Sequence, residues 1–125
     1  MTPAVLYCTM RCRFCWRVQS GDYEIKWEET KLPEWDDPNE IVEGCIKAQL
    51  KLLSGYKGNP KTAFQKYKEA LTPRHAAISL TGEPTLYFPL GGLIHGFHKR
   101  GMTTFLVSNG TQPKALSELS EEPTQ

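Results

Sequence analysis

Cys8, Cys12 and Cys15 fall within one short segment, Tyr7-Cys8-Thr9-Met10-Arg11-Cys12-Arg13-Phe14-Cys15-Trp16-Arg17, spaced C-x3-C-x2-C with an aromatic residue just before the last cysteine. Any fold of this chain has to present the three thiols on one loop. Three thiolates can hold three irons of a 4Fe-4S cube and leave the fourth iron open to a small ligand. Zinc sites and disulfides use comparable spacings, so the loop by itself does not choose between them.

The order of the remaining elements narrows the choice. Ala76-Ala77-Ile78-Ser79-Leu80 reads as a short buried strand, followed directly by Thr81-Gly82-Glu83-Pro84-Thr85-Leu86-Tyr87. Met102 to Val107 makes another strand, rich in β-branched and aromatic residues, that ends in Ser108-Asn109-Gly110. Ala4 to Tyr7 is expected as a third, ahead of the cysteine loop. The expected class is α/β with parallel strands. Ligands collect at the carboxyl ends of such strands, so the three loops should converge on one site.

Helices are marked between the strands. Asp37-Pro38-Asn39-Glu40 offers an N-cap aspartate, proline at the first helical position and glutamate at the third, the pattern of a capping box. Ile41, Cys45, Ala48 and Leu52 then run at helical spacing beside Val42, Ile46, Leu50 and Leu53, a broad apolar face expected to cover the sheet. A short helix carrying Phe64, Tyr67 and Leu71 is expected before Pro73, and another with Leu90, Leu93, Ile94 and Phe97 on one face should stop at Gly101. Cys45, on an apolar helix face, is expected to be a buried structural thiol rather than a fourth ligand. His75, His95 and His98 have no spacing that forces a ligand role and are expected to be structural.

The net charge is only +1, which argues against a generic nucleic-acid binder. Its distribution is uneven. Nine acidic residues lie from Asp22 to Glu43, seven basic ones from Lys47 to Arg74, and Arg11, Arg13 and Arg17 crowd the cysteine loop with no acid close in sequence. Lys57, Lys61, Lys66 and Lys68 read equally as a solvated face or as RNA contacts. Trp16 and Arg17, beside the loop, are expected to stack on a base and pair with phosphate, the way proteins hold an extruded nucleotide. No apolar run approaches the roughly 18 residues of a membrane span, and nothing resembles a signal peptide. A cytoplasmic location is expected, and with it metal rather than disulfides at the cysteines.

The cysteine loop, the Gly82-Glu83 loop and the Ser108-Asn109-Gly110 loop together resemble the radical S-adenosylmethionine (SAM) superfamily. Phe14-Cys15-Trp16-Arg17, the stretch from Arg74 to Tyr87, and Ser108-Asn109-Gly110-Thr111 narrow the resemblance to the archaeal tRNA 4-demethylwyosine synthase family, over nearly the whole chain. It implies a partial (β/α) radical SAM barrel, about three βα units of a six-unit TIM-like barrel. A complete barrel takes about 200 residues or more, so residues 1–125 are expected to be an N-terminal part of a radical SAM core domain, truncated at both ends, with a sheet edge left open.

The resemblance also implies the chemistry. Cys8, Cys12 and Cys15 would hold one 4Fe-4S cluster, whose open iron chelates SAM. Phe14 would pack near the adenine, Gly82 would let the backbone approach SAM, and Thr81, Gly82, Glu83 and Pro84 would meet its methionyl amino group. Ser108 and Asn109 would serve the ribose and carboxylate, with turn formation as the other reading. Whether the Glu83 carboxylate touches SAM or braces its loop stays open. The substrates would be phenylalanine tRNA carrying N1-methylguanosine, and pyruvate, with flavodoxin or ferredoxin as electron donor. The family's second cluster and pyruvate-binding lysine have no counterpart, since no Cys or Lys precedes Cys8, and this stretch alone is expected to be inactive. Phe88 interrupts the family's Leu-Tyr-Pro wording. The alternatives are another radical SAM enzyme, of activase or deazapurine-synthase type, and a non-catalytic zinc or iron-sulfur module.

Overall fold

The computed structural model describes residues 1–125. Its longest element, α1 (Pro38–Leu53), starts as the sequence predicts: Pro38 occupies the first turn and the Asp37 carboxylate accepts from the Asn39 N–H at 2.8 Å. A cap of this kind is worth about 1 kcal/mol. The bond comes from Asn39 rather than from the Glu40 N–H that a capping box uses. Val42 is fully buried and Ile41 and Ile46 lie against the core, but Leu52 is 74% exposed and Ala48 is also on the surface. The helix meets the later helix Leu90–His98 instead of spreading its whole apolar face over the sheet.

Beyond α1 the chain forms α2 (Phe64–Ala70), β1 (His75–Ile78), α3 (Leu90–His98), β2 (Thr103–Leu106) and α4 (Pro113–Ser117). The apolar side of α2 stays open, with Phe64 exposed under the Lys68 ammonium at 4.7 Å and Leu71 also on the surface, so the helix adds nothing to the core. In α3, by contrast, Leu90, Leu93, Ile94 and Phe97 are all buried, as their spacing predicts, and the helix ends before Gly101. With Ala4, Leu32, Val42, Ala76, Ile78, Tyr87 and Met102 they make the hydrophobic core.

The two strands are parallel, with His75 opposite Thr103 and Ile78 opposite Leu106, and α3 connects them as a βαβ unit. Strand alternation sends Ala76, Ile78 and Thr104 inward while His75, Ala77, Thr103 and Phe105 stay exposed. Both outer edges are partly paired. The Met1 ammonium donates to the Ala77 carbonyl and the Ser79 N–H to the Met1 carbonyl, while the Leu106 N–H donates to the Gln125 carbonyl and the Gln125 N–H to that of Thr104. The expectation of an open edge is corrected to that extent.

The expected strand at Ala4 to Tyr7 is a turn instead. The Tyr7 N–H donates to the Ala4 carbonyl, Ala4 is buried in the core, and the ladder sites of β1 are taken by Met1. The three expected βα units therefore reduce to one βαβ unit with a two-stranded sheet. A further tie fixes the approach to α1: buried Tyr87 donates its hydroxyl to the Asp36 carbonyl at 2.7 Å. Burial, and after it the Asp37 and Asp36 charges, push the Tyr87 phenol up to about 12.

Candidate cofactor site at the strand ends

Leu80 takes a positive φ of 118° just past β1, turning the chain out of the sheet; 72% of its surface is exposed. The Thr81-Gly82-Glu83-Pro84 loop follows, and Val107-Ser108-Asn109 leaves the same end of β2. Both loops meet the cysteine loop around a cavity of about 370 Å³. Cys8, Cys12, Cys15, Phe14 and Trp16 line one side, and Thr81 to Pro84 with Ser108 and Asn109 line the other. Every predicted site residue except Arg17 borders this one space.

Glu83 is the joint between the two strand-end loops. Its carboxylate is 1% exposed. Oε1 accepts from the Thr85 N–H (3.1 Å), the Thr85 hydroxyl (2.6 Å) and the Ser108 hydroxyl (2.9 Å), and Oε2 accepts from the Asn109 N–H (2.7 Å). Of the two roles open for Glu83, the geometry is that of a brace. The Ser108 hydroxyl donates inward to Glu83 and also accepts from the Gly110 N–H, so it closes a turn. Gly82, at φ 72°, presses against the Ala4 and Tyr7 carbonyls, and the Glu83 N–H donates to the Tyr7 oxygen at 2.8 Å. The close approach that requires glycine here is to the chain's own backbone, while the residue also borders the cavity.

Arg17 departs most from expectation. Its side chain is 1% exposed, with Nη1 donating to the Leu6 carbonyl (2.7 Å) and Glu29 (2.8 Å), and Nη2 to the Met10 carbonyl (3.2 Å). A guanidinium so enclosed is not offered to a phosphate, so its expected tRNA contact is corrected to a strut inside the cysteine loop. Trp16 is 71% and Phe14 90% exposed, both open to a ligand. The partner that sequence reasoning missed is Glu29. It is buried, receives Arg17, Arg11 (2.6 Å) and the Ser20 N–H (2.8 Å), and its carbonyl accepts from the Cys8 N–H (2.8 Å). The one available signal was three arginines followed by an acidic stretch.

Burial pushes the Glu29 carboxyl up, but the Ser20 N–H, the hydrogen bonds of Arg17 and Arg11 and the charge of Arg17 outweigh it and hold the group below the ordinary 4.5. A folded-state value below the unfolded one stabilises the fold at any pH above 4.5, and the benefit is lost as pH falls through the lowered value. Acid titration below about 4.5 should therefore loosen the cysteine loop, read as a change in Trp16 and Trp27 fluorescence, and Glu29→Gln should flatten that transition.

The three thiols are free and half-buried on the cavity wall. They are not drawn into a closed chelating set, and no three His, Cys, Asp or Glu side chains are gathered to hold a metal ion. The donor chemistry still fits an iron-sulfur centre better than zinc, because three sulfurs and no histidine border the cavity. The Thr81 hydroxyl, buried at the cavity wall, has no hydrogen-bond partner, and an orphaned polar atom of this kind fits a polar ligand there. Cys45 lies apart, lining a different groove; it is half-buried rather than buried as expected, and that partial burial pushes its thiol up.

No family model matches the chain. Individual relatives do. The S-adenosyl-L-methionine-dependent tRNA 4-demethylwyosine synthases of Pyrococcus abyssi and Methanocaldococcus jannaschii are 54% and 44% identical to it, over 100% and 99% of its length. The chain spans only 36% and 40% of those two proteins. Two solved structures share its backbone, one of TYW1 with a lysine-pyruvate adduct bound (TM-score 0.82, 42% identity) and one of archaeal TYW1 (TM-score 0.77, 38% identity). Each covers 99% of this chain, which spans 38% of either. Over its full length, then, the chain is similar in sequence and backbone to a segment of about a third of the tRNA 4-demethylwyosine synthases.

Proposed function

We propose that residues 1–125 are part of the radical SAM core domain of a tRNA-modifying enzyme, which joins N1-methylguanosine of phenylalanine tRNA to pyruvate to form 4-demethylwyosine. What carries this reading is the convergence of the cysteine loop, the Gly82-Glu83 loop and the Ser108-Asn109 loop on one cavity at the strand ends. The names of the relatives support SAM and tRNA as its ligands. Pyruvate, a reduced flavodoxin or ferredoxin as electron source, and a cytoplasmic setting belong to the same proposal. No helix is long and apolar enough to cross a membrane.

Cys8, Cys12 and Cys15 would hold the 4Fe-4S cluster, and Thr81 would offer its free hydroxyl to SAM. When bound, the pair supplies one-electron chemistry able to remove a hydrogen atom from an unactivated carbon. The residues supply position and exclusion of water. Glu83 locks the two strand-end loops at a fixed separation, Arg17 and Glu29 brace the cysteine loop from within, the Glu83 N–H bond to the Tyr7 carbonyl ties that loop to the strand ends, and exposed Phe14 and Trp16 offer faces on which a ring can stack.

Anaerobic reconstitution with iron and sulfide tests this. The protein should turn brown with broad absorption near roughly 400 nm, as iron-thiolate centres do. Cys8→Ala, Cys12→Ala and Cys15→Ala should each lose the iron, and Cys45→Ala should keep it. A colourless protein that retains zinc would replace the enzyme with a metal-binding module, and iron lost equally from Cys45→Ala would refute the ligand assignment.

A further inference from the structure

Asn109 is the one side chain that links the loop after β2 to the cysteine loop through a sulfur. Its Nδ2 donates to Thr9 Oγ1 at 3.0 Å and to Cys8 Sγ at 3.6 Å, within the longer reach of bonds to sulfur. Its Oδ1 accepts from the Thr111 N–H at 3.0 Å and the Thr111 hydroxyl at 2.7 Å. An amide has two N–H donors and two acceptor lone pairs, and all four are committed inside the protein. The orientation is fixed as well. A flipped amide would set its NH2 against the Thr111 N–H, donor against donor, and its oxygen against the sulfur.

These bonds give the side chain the turn-forming and bracing role that was the other reading of the sequence. Cys8 also receives the Met10 N–H at 3.4 Å, while neither Cys12 nor Cys15 has a recorded N–H donor to its sulfur. The three thiols are therefore electrically unequal. Hydrogen bonds to a cluster's sulfurs are one of the levers that set its reduction potential, because they stabilise the form carrying the extra negative charge.

We propose that Asn109 is a positioning residue that tunes the cluster: its amide N–H bond to Cys8 Sγ raises the reduction potential and orients that ligand, rather than binding the cofactor. This rests on the 4Fe-4S reading above. Asn109→Asp keeps the size and the acceptors for Thr111 but replaces the donor facing the sulfur; Asn109→Leu removes both functions; the backbone N–H to Glu83 survives in each. Thr9→Val serves as the control, removing the companion hydroxyl without touching the sulfur bond.

Each variant is reconstituted, its iron counted, and its cluster titrated by reductive electron paramagnetic resonance. Asn109→Asp and Asn109→Leu should hold wild-type iron with a potential shifted negative, Asp further than Leu, and Thr9→Val should stay at the wild-type value. In the iron-free protein the Asn109 side-chain amide protons should exchange slowly, a signal independent of loading. An unshifted potential at full iron content overturns the tuning role, and a lost SAM-induced spectral change at that unshifted potential assigns Asn109 to the cofactor instead. A wild-type chain that binds no cluster overturns the parent reading, and this inference with it.

Discussion

Replacing Glu83 by alanine should cost about 2–4 kcal/mol of stability and detach the loop after β2 from the loop after β1. Two effects oppose one another. Four hydrogen bonds converge on a buried carboxylate, and bonds to a charged group contribute about 1.5–3 kcal/mol each before non-additivity. Against them stands the desolvation of an anion with no cation among its partners, a penalty of several kcal/mol that alanine removes. The bonds win because the truncation leaves four donors facing a void, and only those nearest the cavity can turn to water.

Glu83→Gln separates the two contributions. A glutamine amide can keep its oxygen where Oε1 now serves Thr85 and Ser108, but its NH2 then meets the Asn109 N–H, so the variant loses the one bond that crosses to Asn109. Hydrogen exchange should accelerate at the Asn109 amide in both variants and at the Thr85 amide only in Glu83→Ala. If the Asn109 amide stays protected in Glu83→Ala, the brace is imaginary.

How much of this was legible in the chain depended on the range of the forces involved. The start of α1 is set by Asp37 and Pro38 within two residues, and the apolar face of α3 by its own period, so both could be read directly. Ala4 to Tyr7 has the apolar content of a strand, but a strand exists only through its partner, and Met1 holds the edge of β1. Arg17 looked like a surface cation because its counter-ion lies twelve residues on, beyond a turn whose path no local pattern reveals. The meeting of the loops after β1 and β2 was visible from strand-end placement, whereas the cysteine loop joins them without the strand expected before it. The internal wiring of the site was not, because Glu83 meets Ser108 and Asn109 across 25 and 26 residues, and Asn109 meets Cys8 across 101.

Substitution of Gly82 by alanine should be the most damaging single-methyl change in the protein. The position sits at φ 72°, where an L-residue costs about 1–2 kcal/mol. That cost alone would be tolerable. The larger effect is spatial: a Cβ there would lie 1.7 Å from the Ala4 carbonyl oxygen and 2.8 Å from that of Tyr7, both backbone atoms that cannot rotate aside. Ala4 is buried in the core, and the Tyr7 oxygen accepts the Glu83 N–H, so relief requires the Ala4 to Tyr7 turn to retreat and carry Cys8 with it. The combined loss should reach about 4–5 kcal/mol, the range of severe core disruptions, and the protein should fail to assemble its cluster even where it still folds. Gly101→Ala supplies the comparison. Its φ of 71° is nearly identical, yet a Cβ there meets nothing within 4 Å, so it should cost only the conformational 1–2 kcal/mol and leave iron binding intact. Urea midpoints and iron content for the two variants decide the matter. Equal losses would mean that backbone conformation, and not the packing of the loop after β1 against the cysteine segment, is what glycine provides at position 82.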